Sequence, residues 1–191
     1  MRIYHQSNWR PLLALAVALA VVALPAAAEP QRGTQKYEEW LREQVRHQLV
    51  MLPYYGVFDY MAYRIDGESV VLLGKVTRPT LKADAERVVK GIEGVRSVKN
   101  EIEVLPPSPG DDRLRRALYR SIYGHTNLHR YALRAVPPIH IIVHNGHIAL
   151  EGVVANETEK NVAGIQARTV PGSFTVTNNL RVENAAKQAR K

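Results

Sequence analysis

Residues 72–104 read LLGKVTRPTLKADAERVVKGIEGVRSVKNEIEV, and residues 150–182 read LEGVVANETEKNVAGIQARTVPGSFTVTNNLRV. Aligned without a gap at an offset of 78 residues, the two stretches share ten identities in 33 positions. The pairs are Leu72 with Leu150, Gly74 with Gly152, Val76 with Val154, Thr80 with Thr158, Lys82 with Lys160 and Ala85 with Ala163. Gly94 with Gly172, Val98 with Val176, Asn100 with Asn178 and Val104 with Val182 complete the set. Unrelated segments of ordinary composition share about two. Val70 with Ile148, Ile92 with Val170 and Ile102 with Leu180 add conservative matches. The chain therefore holds two copies of one unit, and its architecture is the architecture of that unit.

Periodicity gives the order within each copy. In the first, Leu41, Val45 and Leu49 recur every four residues beside Trp40, a helix face that stops before Pro53. Ala62–Ile65 and Val70–Val76 are strand-like and joined through Asp66 and Gly67, which suits a tight hairpin. Pro79 opens a second helix whose Leu81, Ala85, Val88, Val89 and Ile92 share a face, and Gly94 ends it. Val98, Ile102 and Val104 then alternate as a last strand. The second copy repeats the order, with Leu114, Ala117, Leu118 and Ile122 on its first helix and a hairpin around Asn145 and Gly146. Asn156, three residues before Glu159, suits the cap of its second helix. Each copy thus predicts αββαβ, an α+β unit with a three-stranded mixed sheet and two helices packed on one face. The expected divisions are 37–105 for the first domain, 106–111 for a Pro-rich linker, 112–183 for the second domain and 184–191 for a polar tail. Units of about seventy residues lie near the lower limit for a self-sufficient core, so the copies are expected to pack together.

These residues resemble the BON domain, a family found in osmotically inducible periplasmic proteins and related envelope proteins of bacteria. The marks are the αββαβ order, a Gly in the second strand followed two residues on by Val, and a closing Gly-x-x-x-Val-x-Asn-x-φ-x-Val. They stand here as Gly74 and Val76 with Gly94, Val98, Asn100, Ile102 and Val104, and as Gly152 and Val154 with Gly172, Val176, Asn178, Leu180 and Val182. The sequence departs from the pattern at Ser173 and Phe174 and in a longer loop from Gly124 to Pro138. The resemblance implies attachment to phospholipid or envelope surfaces, a part in osmotic or envelope stress, and no catalysis. Gly74 and Gly152 are expected at a bulge or where a helix presses on the strand, and Asn100 and Asn178 beside backbone groups that they satisfy.

The N-terminus reads as an export leader. Arg2 and Arg10 precede an uncharged run from Leu12 to Leu24, Pro25 breaks it, and Ala26 and Ala28 are the small residues a signal peptidase requires, so cleavage is expected after Ala28. The alternative is an uncleaved anchor, since Pro11–Ala28 is eighteen residues long. Loss of the leader leaves 24 Lys plus Arg against 18 Asp plus Glu, a basic balance suited to anionic headgroups. With no cysteine, the chain has no disulfide framework, no lipid-modified cysteine and no zinc site of the Cys type. The setting expected is the periplasm.

Signatures of chemistry are sparse. The sequence contains no phosphate-cradling Gly-Lys-Thr loop, Gly-x-Ser-x-Gly elbow or His-Glu-x-x-His. His140 and His144 would share one strand face, but four residues at about 3.3 Å each set them too far apart for one ion. That face is expected to be polar and solvent-facing, and neither a metal nor a cofactor is expected. Tyr54, Tyr55 and Phe58 follow the first helix and can lie at a membrane interface or cover the open end of a small core. Arg113, Arg116 and Arg120 stand at helical spacing, with Arg115 beside them, and can meet phosphates or form a solvated face. The partner expected is anionic phospholipid, contacted peripherally and without spanning; nucleic acid is not expected. The alternative is an envelope protein that pairs with an exposed strand edge.

Overall fold

The computed structural model describes residues 35–183. The expected leader, residues 1–28, and the polar tail lie outside the described residues. Among the described residues no helix is long and apolar enough to cross a membrane.

The first domain runs α1 (Gln35–Val50), β1 (Tyr60–Asp66), β2 (Ser69–Val76), α2 (Pro79–Lys90), β3 (Ser97–Asn100) and β4 (Glu103–Val104). On α1, Tyr37, Leu41, Val45 and Leu49 are buried, a four-residue spacing that keeps one face on the sheet. They meet Val70, Leu72 and Val76 of β2 and Leu81, Ala85 and Val89 of α2 in one core. The second domain runs α3 (Pro109–Tyr123), α4 (His129–Ala132), β5 (Ile139–His144), β6 (His147–Val154), α5 (Glu157–Thr169), β7 (Thr175–Asn178) and β8 (Arg181–Val182). Its own core joins Leu114, Leu118 and Ile122 to Ile139, Ile141, Val143, Leu150 and Ala163.

The central strand of each sheet, β2 or β6, pairs antiparallel with β1 or β5 on one side and parallel with β3 and β4 or β7 and β8 on the other. The third strand is thus in two pieces, and the asparagine of the motif makes the break. Asn100 Nδ2 donates to Lys82 O at 2.8 Å and its Oδ1 accepts from Ile102 N at 3.2 Å, tying the strand to α2. Asn178 repeats both bonds, to Lys160 O at 2.7 Å and from Leu180 N at 3.2 Å.

The glycines of the second strands answer a neighbouring strand, not a helix. Gly152 has φ +123, and a Cβ there would lie 1.9 Å from Pro138 O; at Gly74, φ +126, it would lie 2.1 Å from Tyr60 O. Gly94 and Gly172 also have positive φ, +85 and +93.

Three local details differ from the sequence reading. The first hairpin turns on Gly67 and Glu68, since Asp66 is still paired with Ser69. Helix α3 begins at Pro109, inside the stretch read as linker, because Ser108 caps it by accepting from Asp111 N at 3.2 Å. The loop from Gly124 to Pro138 contains α4, which with its N-cap residue delivers Leu128 and Tyr131 to the second core.

Candidate functional site

Helix α3 carries the arginine cluster and sorts it by direction. Arg115 turns inward at 4% exposure, donating to Val143 O at 2.6 Å and to Asp112 at 2.5 Å. Asp111 is buried as well and accepts from Asn145 N and Gly146 N, both at 2.9 Å, so the first turn of α3 holds the β5–β6 hairpin. Arg113, Arg116 and Arg120 point outward and are exposed. None of the three forms an ion pair among the described residues.

A groove runs along each side of this ridge. One, of about 860 Å³, is lined by the three arginines, Asn145, Gly146 and Phe174. Phe174 is 77% exposed, an aromatic ring left beside three unpaired cations. The other groove, of about 520 Å³, brings Arg134 to Arg116 and Arg120 over Phe58 and Tyr119.

The aromatic segment between α1 and β1 divides. Tyr55 stacks on His140 of β5, centroids 5.4 Å apart, with its hydroxyl 3.5 Å from Nε2. Phe58 meets Tyr119 of α3 edge-on at 6.4 Å, and Val57 O accepts from Ile141 N at 2.7 Å. His140 Nδ1 lies 3.3 Å from Gly56 O. Asp59, buried, fixes the loop by accepting from Thr77 N at 2.6 Å, Thr77 Oγ1 at 2.8 Å and Gly56 N at 3.3 Å. Residues 55–58 therefore form the centre of the joint between the two halves. Tyr54 alone stays outside, 73% exposed at φ +67, with the Arg78 guanidinium 4.8 Å above its ring.

The family model described as "BON domain" matches residues 37–106 and again 120–184, more than half of the chain. The chain belongs to the BON domain family. BON domains are non-catalytic binding domains of envelope-associated proteins. No curated protein matches the chain. Among solved structures, CdsD, a structural protein of the type III secretion system of Chlamydia trachomatis, is 14% identical. The match covers 78% of this chain and 97% of that one, with a TM-score of 0.28. The C-terminal domain of the same protein is 13% identical, with 74% and 96% covered and again a TM-score of 0.28. Scores this low carry no functional argument.

Within the BON pair, the face of β5 that carries His140 is not solvent-facing. His140 is 7% exposed, Ile142 on the same face 4%, and Tyr60 of the first BON domain lies 5.7 Å from the His140 ring. Burial pushes the His140 imidazolium below its ordinary pKa, opposed by the nearby Gly56 and Asp59. Burial likewise raises the Tyr55 phenol. His144 and His147 go elsewhere, to Glu103 at 3.5 Å and to Thr175 Oγ1 at 2.8 Å. Among the described residues no three such groups are placed to hold a metal ion. The joint left one faint sign in the sequence: Ile142 stands between His140 and His144 on the face opposite Ile139, Ile141 and Val143, an apolar residue on the side read as polar.

Proposed function

We propose that this protein is exported to the periplasm and binds anionic phospholipid surfaces peripherally, without catalysis, through the α3 ridge of its second BON domain. The observation that carries this reading is the ridge itself. Arg113, Arg116 and Arg120 are exposed and unpaired among the described residues, and a bare Phe174 stands beside them. Cations near an anionic surface contribute about 1 kcal/mol each, and an aromatic ring adds an apolar foothold at headgroup depth. Tyr54, on the first BON domain, is a second exposed ring, whereas Tyr55 and Phe58 serve the reading only by fixing how the halves meet.

The test is co-sedimentation with anionic and neutral vesicles at low and high salt. Binding should require anionic lipid and fade with salt. Changing Arg113, Arg116 and Arg120 together to Glu should weaken it by several powers of ten with the fold unchanged, by the same arithmetic. The same reversal at Lys82, Arg87 and Lys90 of α2 should do far less. Equal loss from both triples would leave only net charge, and failure on every vesicle would turn the reading toward an envelope protein as partner.

A further inference from the structure

We propose that two copies of this chain join edge to edge through β7, antiparallel and centred on Val176, so that their second BON domains share one continuous sheet. Strand β7 lies at the end of its sheet, and among the described residues no strand pairs with its outer side. The edge at β5 is different, because Val57 O already accepts from Ile141 N there.

The first BON domain serves as an internal control, since its outer edge has the same two short strands. That edge is guarded by charge: Arg96 pairs with Glu68, and Lys99 with Glu101 at 2.6 Å. Charged side chains on an exposed edge keep other strands from adding to it. The equivalent run in the second domain, Ser173-Phe174-Thr175-Val176-Thr177-Asn178-Asn179, has no charge at all. Thr175 and Thr177 are exposed on it. Fold and strand length being equal, the missing charges mark this edge as the one left open to another strand.

Its chemistry fits a second copy. With the two-fold at Val176, Val176 faces Val176 of the other copy, each Thr175 faces a Thr177, and Phe174 faces Asn178. Thr–Thr and β-branched cross-strand pairs are favourable, and no like charges meet. From Glu29 onward the chain has 24 Lys plus Arg against 18 Asp plus Glu and repels itself over most of its surface, so a neutral edge is where a second copy can approach. Thr175-Val176-Thr177-Asn178 itself carries no cation to answer an acidic strand, the arginines of α3 standing only beside its Phe174 end. Antiparallel pairing of identical edges sets the two-fold perpendicular to the sheet, which puts the helices of both copies on the same side. The proposal does not depend on the lipid reading, although it would present two α3 ridges in one direction.

Sedimentation velocity on the chain from Glu29 tests it across a range of protein concentration. A dimer is expected, and Thr177→Lys should raise its dissociation constant by about tenfold or more, since the substitution acts twice in a two-fold interface. The first domain already carries Lys99 at the equivalent position, so the fold tolerates that side chain. Ser97→Lys, on the guarded edge, should leave the dimer unchanged. Because the chain has no cysteine, register can be read directly. A mixture of Thr175→Cys and Thr177→Cys chains should form disulfides faster than either alone. A monomer at every concentration, a dimer indifferent to Thr177→Lys, or cross-linking without preference for the mixed pair would each overturn the proposal.

Discussion

At Gly152 a single missing methyl group decides whether two strands can close. The carbonyl of Pro138 occupies the space where a Cβ would stand, 1.9 Å away, and φ of +123 is strained for any other residue. Gly152→Ala is expected to cost at least about 3 kcal/mol in urea unfolding, from backbone strain plus the forced separation of β5 from β6. Gly67→Ala, in a turn with nothing within 4 Å, should cost only about 1 kcal/mol, the penalty of positive φ alone. Equal losses at the two sites would show that the carbonyl contact is unimportant. Glu159 is the opposite case, a residue that no repeat alignment explains. Its counterpart is Leu81, fully in the first core, yet Glu159 is buried too, at 6% exposure. It accepts from Tyr131 Oη at 2.5 Å and Ala155 N at 3.0 Å and pairs with Arg130, so a carboxylate occupies the position that an apolar side chain fills in the first copy, without an unmet acceptor. The sequence showed Asn156 and Glu159 as helix-capping partners, and the Asn156 half is present, accepting from Glu159 N at 2.9 Å. The carboxylate takes Ala155 N and reaches α4 as well, a partner that lies 28 residues upstream for Tyr131 and so leaves no local signal.

Elements with several turns of periodicity were legible, and the short ones were not. The long helices announce themselves by apolar residues every three or four positions, and the second hairpin by Asn145-Gly146 with φ of 51 and 76. Helix α4 has four residues, too few for any period, and its Tyr131 could be read only as another ring in a loop. The start of α3 was hidden for a different reason. Pro109 and Gly110 are loop residues by habit, but Pro fits the first turn of a helix because its missing N–H has no partner there anyway. Asp111 belongs to that turn, and its carboxylate holds the hairpin through two backbone N–H groups. Asp111→Ala leaves both donors without their acceptor and should destabilise the second domain by about 1–3 kcal/mol. Asp111→Asn keeps one carbonyl oxygen and should lose less. Chemical denaturation that ranks the two variants the other way would mean the α3–hairpin link does not matter to stability.

For the whole molecule, two units of about seventy residues are expected to lean on each other, but their size does not say where. The joint is chiefly one loop of the first BON domain laid on β5 of the second, and at its centre is a histidine whose charged form burial disfavours. Tyr55, Tyr60 and the buried Asp59 are the titratable groups of the first domain around it. A histidine whose pKa is depressed in the folded state resists the proton that the unfolded chain takes up at about 6.5. Stability is therefore at its plateau above that pH and falls as the pH drops below it, until the folded-state pKa is reached. The same sign applies to separation of the domains, because parting them returns His140 to water. Thermal unfolding between pH 7 and pH 5 should show the midpoint of the parent chain falling with acid. In His140→Phe, which keeps a ring against Tyr55 but has no proton to gain, the fall should be smaller. His147→Phe, at an exposed position on the hairpin, should keep the parent's slope. If all three chains lose stability in parallel, the acid sensitivity lies outside the joint, and His140 only packs.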